Sequence, residues 1–177
     1  VVTGTNIWTS NSTLTDYNRS PRTGTWKAYL RYGNERWMFK PFQLTGGVSY
    51  AFEIYARQDG ATSTNSNMTV SYGNTPNAAA MTNSIVPTTG IVNGNYQRLF
   101  GTFTPSATGV YYIGIKGYMN SSPWYISIDD ITVDLAPSCI EPTGLTATNI
   151  TGSSVDIGWN GAATVDIDYG AVGHPAG

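Results

Sequence analysis

Between residues 5 and 134 this chain alternates apolar and polar side chains with a period of two, and almost nowhere with the period of a helix. Val48, Tyr50, Phe52, Ile54 and Ala56 alternate with Ser49, Ala51, Glu53, Tyr55 and Arg57. Tyr111, Ile113 and Ile115 alternate with Tyr112, Gly114 and Lys116, and Trp26, Ala28 and Leu30 with Lys27, Tyr29 and Arg31. Successive side chains of a strand point to opposite faces, so each run describes a strand with one face buried. Turn-forming clusters punctuate the runs at Tyr32-Gly33-Asn34, Thr45-Gly46-Gly47, Gln58-Asp59-Gly60, Gly73-Asn74-Thr75-Pro76, Asn93-Gly94-Asn95 and Thr108-Gly109. Residues 77–82 have room for one helical turn and no more. Eight or nine strands at this spacing predict an all-β chain, with a jelly-roll β-sandwich of two packed sheets as its main domain.

Composition narrows the setting. Only 11% of residues are charged and the net charge is −2, against about 25% charged in an average soluble domain. Polarity comes from Thr, Asn, Ser and Gly, with 12 Tyr and 5 Trp beside them. That surface of hydroxyls and amides suits a secreted or cell-surface protein. The small net charge and the lack of a basic run argue against nucleic acid as a partner. No stretch approaches the ~18 apolar residues of a membrane-spanning helix.

A module boundary falls at Leu135-Ala136-Pro137-Ser138. It divides a domain of residues 1–134 from a linker of residues 135–141 and a second segment, residues 142–177. In the second segment Pro142-Thr-Gly-Leu145 and Val155-Asp-Ile-Gly-Trp159 read as the first strands of another sandwich. Such a sandwich takes about seven strands and roughly 100 residues, so the expectation is a piece of a longer modular protein. The lone Cys139 is either an incidental small residue in the linker or half of a disulfide with a cysteine further along the parent. The second alternative implies an oxidising compartment.

The strand at Trp124–Val133 breaks phase. Ile126 and Ile128 share one face, while Ile131 and Val133 have the opposite parity, so both pairs reach the core only if a residue is inserted between them. That predicts a β-bulge at Asp129-Asp130. Two adjacent carboxylates repel unless a cation or hydrogen-bond donors compensate them. Calcium, which takes six to eight hard oxygens, is one expectation; a solvated pair capping the strand end is the other.

The faces opposite the core carry Tyr29, Arg31, Tyr55, Arg57, Tyr112, Lys116 and Tyr118, with Trp124 nearby. Flat rings beside hydrogen-bonding cations suit the apolar faces and hydroxyl edges of sugars. Cross-strand aromatic pairs also stabilise a sheet with no ligand at all. Catalysis finds no constellation here. The one histidine, His174, lies in the second segment, so the first domain has no Ser-His-Asp or Cys-His arrangement and no zinc-type ligand set. No pair among Asp16, Glu35, Glu53, Asp59 and Asp129 is marked as a glycosidase pair.

Leu44-Thr-Gly-Gly-Val-Ser-Tyr50, Phe52-Glu-Ile-Tyr-Ala-Arg57, Gly101-Thr-Phe-Thr-Pro105, Gly109-Val-Tyr-Tyr-Ile-Gly-Ile115 and Ile126–Val133 follow in that order. Together they resemble the MAM-like or cleaved-adhesin jelly-roll modules of secreted bacterial surface proteins, over about residues 5–134. Carbohydrate-binding modules of jelly-roll type are similar in layout. Pro142, Leu145, Ile150, Val155, Ile157 and Trp159 resemble the first core strands of a fibronectin type III domain, with Val165–Gly170 as its third. The resemblance implies a non-catalytic adhesion or carbohydrate-binding module of an exported protein. Its partner would be a glycan or a surface protein, and the type III part would serve as a spacer. It further implies a structural calcium site to which Asp129 and Asp130 contribute, with Asp16, Asn6 or a backbone carbonyl as the N-terminal ligand. Two alternatives stay open: a fibre subunit whose unfinished sandwich is completed by another chain, and the accessory domain of a secreted hydrolase or protease.

Overall fold

The computed structural model describes residues 7–33, 35–60, 65–119, 123–138 and 142–161. Asn6, Asn34, Cys139, Val165–Gly170 and His174 lie outside the described residues. The chain divides into two compact units, Val1–Leu135 and Ala136–Gly177.

Among the described residues, the first unit is a β-sandwich of nine antiparallel strands in two sheets, with the jelly-roll architecture that the alternation predicts. The strands are β1 (Thr9–Asn11), β2 (Lys27–Arg31), β3 (Glu35–Leu44), β4 (Tyr50–Gln58), β5 (Ser66–Gly73), β6 (Asn83–Gly90), β7 (Gln97–Phe103), β8 (Gly109–Met119) and β9 (Tyr125–Leu135). Sheet A runs in the order β1-β2-β9-β4-β7, and sheet B in the order β3-β8-β5-β6. The last strand is thus inserted between β2 and β4. Residues 78–80 form the single turn of 3-10 helix that their length allows.

The alternation in each strand becomes the two faces of each sheet. Leu30, Phe52, Ile54, Ala56, Leu99, Phe103, Ile126 and Ile128 of sheet A close on Leu44, Met68, Val70, Tyr72, Val86, Ile113, Ile115 and Met119 of sheet B, all buried. Two glycines let the layers come close. A methyl group on Gly117 would lie 2.8 Å from both Leu30 and Trp8, and one on Gly101 of β7 would fall on the carbonyl of Ile85 in β6. Sheet B is edged by β3 and β6, each holding a proline (Pro41 and Pro87). Proline lacks an N–H for the ladder and belongs at such an edge.

The phase break in β9 has a structural counterpart. Glu53 pairs with Thr132 and Tyr55 with Asp129, so Ile54 stands opposite two residues, Asp130 and Ile131. Asp130 takes the left-handed φ of 48° that the extra residue demands. Val133 then packs against the core. Ile131 turns inward beside Phe52, Ile113 and Ile115 but stays 40% exposed.

One sequence expectation is overturned at β2. Trp26, expected on the buried face, precedes the strand and is 61% exposed, whereas Lys27 of the outward face is 3% exposed. The cause is a strap, residues 12–26, folded back over the outer face of sheet A.

In the second unit, β10 (Thr143–Thr148) and β11 (Asp156–Asn160) form an antiparallel hairpin. Asn149 at its turn is left-handed, at φ 50°. Leu145, Ile150, Val155 and Ile157 are exposed.

Candidate functional site

The eight aromatic and basic residues that the sequence singles out do not share one surface. Tyr29, Arg31, Tyr55 and Arg57 lie on the outer face of sheet A; Tyr112, Lys116 and Tyr118 lie on the outer face of sheet B. Trp124 belongs to neither face. It precedes β9, its ring meets Tyr32 edge-on with centroids 4.9 Å apart, and its backbone N–H donates to Asp59 Oδ2 at 2.6 Å.

On sheet A the strap takes most of the platform. Arg22 lies over the Tyr55 ring at 3.5 Å from its centroid, and Arg19 over Tyr125 at 4.1 Å and Tyr29 at 4.9 Å. Arg57 donates through Nη2 to the Ser20 carbonyl at 2.6 Å and to its hydroxyl at 2.8 Å. Tyr96 donates to the same carbonyl at 3.0 Å. Asn18, left-handed at φ 56°, donates to the carbonyls of Gln58 and Gly94 at 3.0 and 2.6 Å. Tyr55 and Arg57 are therefore fastenings for the chain's own strap, which corrects their reading as ligand contacts.

The carboxylate pair is part of the same fastening. Asp129 Oδ2 accepts the backbone N–H of Arg22 at 2.7 Å and of Thr23 at 3.3 Å, and its Oδ1 accepts the N–H of Asp130 at 2.9 Å. Asp130 Oδ2 pairs with Arg22 Nη1 at 2.6 Å, and its Oδ1 accepts the Thr23 hydroxyl. The Thr23 hydroxyl and then the Arg22 guanidinium hold the Asp130 carboxyl below its ordinary 3.8, although partial burial opposes them. Asp16 is engaged elsewhere, with Arg19 at 2.5 Å. Among the described residues no group of three or more acids, histidines or cysteines gathers. The shell around Asp129 and Asp130 consists of donors, whereas calcium asks for six to eight oxygen acceptors. As folded, the oxygens of Asp129 and Asp130 are taken up by donors of the strap, and Asp16 is paired with Arg19 rather than with them. The compensating cation is Arg22.

On sheet B the pairing register builds a surface that the sequence shows only in part. Glu35, Tyr118 and Asn67 stand side by side across β3, β8 and β5; Trp37, Lys116 and Thr69 form the next row, and Phe39, Gly114 and Ser71 the third. The Trp37 and Phe39 rings are parallel to within 5°, with centroids 5.8 Å apart. Lys116 Nζ lies 3.1 Å from Glu35 Oε2 and 5.6 Å from the Trp37 ring centre. The Trp37 indole N–H donates to Glu35 Oε1 at 3.3 Å, and the Thr69 and Thr88 hydroxyls share a hydrogen bond of 2.9 Å. At the third row a wall rises: Met81, just after the 3-10 turn, sits in the space that a side chain on Gly114 would need. Tyr112 lies beyond that wall.

Sequence reasoning thus found Lys116 and Tyr118 but missed Trp37, Phe39 and Glu35. Their signal was available, since Glu35, Trp37 and Phe39 share parity within one strand; Pro41 in the same run masked it.

Neither the protein-family models nor the curated proteins contain a match to this chain. Among solved structures, the K1 cleaved-adhesin domain of Lys-gingipain from Porphyromonas gingivalis W83 is similar, with a TM-score of 0.56 and 14% sequence identity over 75% of this chain and 86% of that one. This likeness is one of fold. The carbohydrate-binding module TmCBM61, solved in complex with β-1,4-galactotriose, gives a TM-score of 0.50 at 9% identity, over 75% of this chain and 84% of that one. The chain spans 28% of the length of a Clostridium thermocellum xylanase 10B structure holding CBM22-1 and GH10 modules, at 16% identity, 78% coverage of this chain and a TM-score of 0.48.

Proposed function

We propose that this chain is a non-catalytic binding module that holds neutral glycan chains on the outer face of sheet B, within an exported modular protein. The observation that carries this reading is the parallel Trp37–Phe39 pair beside the charge-balanced Glu35–Lys116 pair. Parallel rings offer stacking surface to the apolar faces of sugars. Lys116 and Glu35 offer a donor and an acceptor to hydroxyls without a net charge, and Tyr118, Asn67 and Thr69 extend the polar track across the strands. Strands lie about 4.8 Å apart, so the track across three of them fits a short run of sugar rings. Met81 bounds it on one side.

The test is a titration of the full chain with neutral oligosaccharides, such as xylo- and galacto-oligomers, after a glycan array. Trp37→Ala is expected to weaken binding by tenfold or more, as loss of a central aromatic contact does, with Tm unchanged. A glycan that binds wild type and Trp37→Ala alike would overturn the assignment to this face.

Secretion and a calcium requirement belong to this reading as proposals, and so does a type III-like spacer role for the second unit. In that unit, the exposed Leu145, Ile150, Val155 and Ile157 support a second role, docking against further β-structure of the parent or of another chain. Light scattering at high concentration tests it: a strictly monomeric chain removes self-association.

A further inference from the structure

The strap does not cover all of sheet A. Between its N-terminal half and the β1–β2–β9 edge lies an open groove of about 540 Å³, with Thr9, Tyr29, Arg31 and Tyr125 as its floor and Leu14 and Arg19 of the strap as its rim. The register explains the floor: Thr9 is level with Tyr29, and Arg31 with Tyr125. Tyr29 and Tyr125 meet edge to face, with centroids 5.6 Å apart.

The charges in the groove are unequal. Arg19 is matched by Asp16 at 2.5 Å and spends its Nε on the Asp16 carbonyl at 3.0 Å. Arg31 is exposed, rests over the Tyr32 ring at 5.1 Å, and has no acid beside it among the described residues. The groove therefore holds two tyrosine rings, a threonine hydroxyl and one uncompensated guanidinium. A planar guanidinium pairs with an oxyanion through two parallel N–H bonds.

We propose that this groove is a second binding site, separate from the face of sheet B, and that it takes an acidic sugar unit bearing a single negative charge. The sugar's carboxylate or sulfate ester lies on Arg31, and its ring lies in the open part of the groove beside Tyr29 and Tyr125, which also carry Arg19. The single unmatched positive charge suits a monoanion, which distinguishes the groove from the charge-neutral platform on sheet B. The strap is then part of the site, because Arg19 and Leu14 form its rim.

The test is calorimetric titration of the full chain with a galacturonic acid trimer, with a sulfated neutral trisaccharide and with a neutral galactotriose, using wild type, Arg31→Gln and Trp37→Ala. At least one acidic sugar is expected to bind wild type and Trp37→Ala equally. Arg31→Gln should weaken it at least about tenfold, the usual worth of a charge-assisted pair, and affinity should fall as salt rises. Whether the galacturonate or the sulfated sugar responds tells which anion the groove reads. The proposal is overturned if neither acidic sugar binds, if Arg31→Gln leaves binding unchanged, or if Trp37→Ala abolishes it. None of these outcomes touches the neutral-glycan reading, which rests on galactotriose and Trp37→Ala alone.

Discussion

Arg22 lies over the ring of Tyr55, its guanidinium carbon 3.5 Å from the ring centre, while the same guanidinium holds Asp130 Oδ2 at 2.6 Å. One side chain of the strap thus grips the sheet through an aromatic face and through the carboxylate that the bulge has re-aimed. Acid should loosen this grip. Asp130 binds its proton more weakly folded than unfolded, so its contribution is full above the ordinary 3.8 and is lost as pH falls through the lower folded value. We expect the backbone N–H groups of Arg22 and Thr23, held by Asp129, to exchange with solvent faster, relative to free-peptide rates at the same pH, as pH falls below 3.8. Asp130→Asn should show the faster relative exchange at neutral pH and lose the acid response. Equal relative rates above and below that range for wild type would refute the latch.

Lys27 is an unpaid cost of the strap. Its ammonium is buried and, among the described residues, has no hydrogen-bond partner. Burial first, and then repulsion from Arg19, push its pKa below 10.5, with Asp129 and Asp16 pulling the other way. The unfolded chain therefore keeps this proton more tightly, and stability should rise as pH passes from the folded value towards 10.5. Lys27→Met, which keeps the stem and removes the charge, is expected to stabilise by about 1 kcal/mol and to flatten that rise. Thermal melts of both proteins across pH 8–11 decide it; an equal slope in both would sink the idea.

Gly101 should be, with Gly73, among the least tolerant glycines of the sandwich. A methyl group on Gly101 meets the Ile85 backbone carbonyl, which cannot swing aside as a side chain can. Gly101→Ala is expected to cost about 1–3 kcal/mol or more in urea unfolding. By contrast, a methyl group on Gly109 meets nothing within 4 Å, so Gly109→Ala serves as the control. Similar losses in the two variants would mean that layer spacing is not set at Gly101.

Calcium can reach Asp129 and Asp130 only if Arg22 gives them up, which turns the calcium reading into a competition. If the ion binds there, Arg22→Ala should enlarge the calcium-dependent rise in Tm relative to wild type. An equal rise in both would move the ion to another place, and no rise in either removes calcium from the account.

Much of the fold could be read from the residues because burial imposes parity. Phe52, Ile54 and Ala56 had to share a face, and the change of parity between Ile128 and Ile131 had to be absorbed by an extra residue. The strap left no such trace. Residues 12–26 have no period, and they are held by single contacts such as Asn18 to Gly94 and Arg57 to Ser20, which join positions 76 and 37 residues apart. Nothing local marks those pairs. For the same reason the outward Tyr55 and Arg57 of β4 read like part of a binding platform when they are the seat of another part of the chain. Trp37 and Lys116 are partners only through the β3–β8 register, and register is a property of the pairing rather than of either strand alone.

The two edge prolines bear on how copies of this fold live together. On a surface coated with them, or strung along one chain, neighbouring sheets would meet edge to edge far more often than in dilute solution. A strand approaching β3 or β6 finds a gap in the ladder at Pro41 or Pro87 and cannot extend the sheet cleanly. Sheet B can therefore be displayed at high density without fusing to its neighbours, and the face that carries Trp37 and Phe39 stays uncovered.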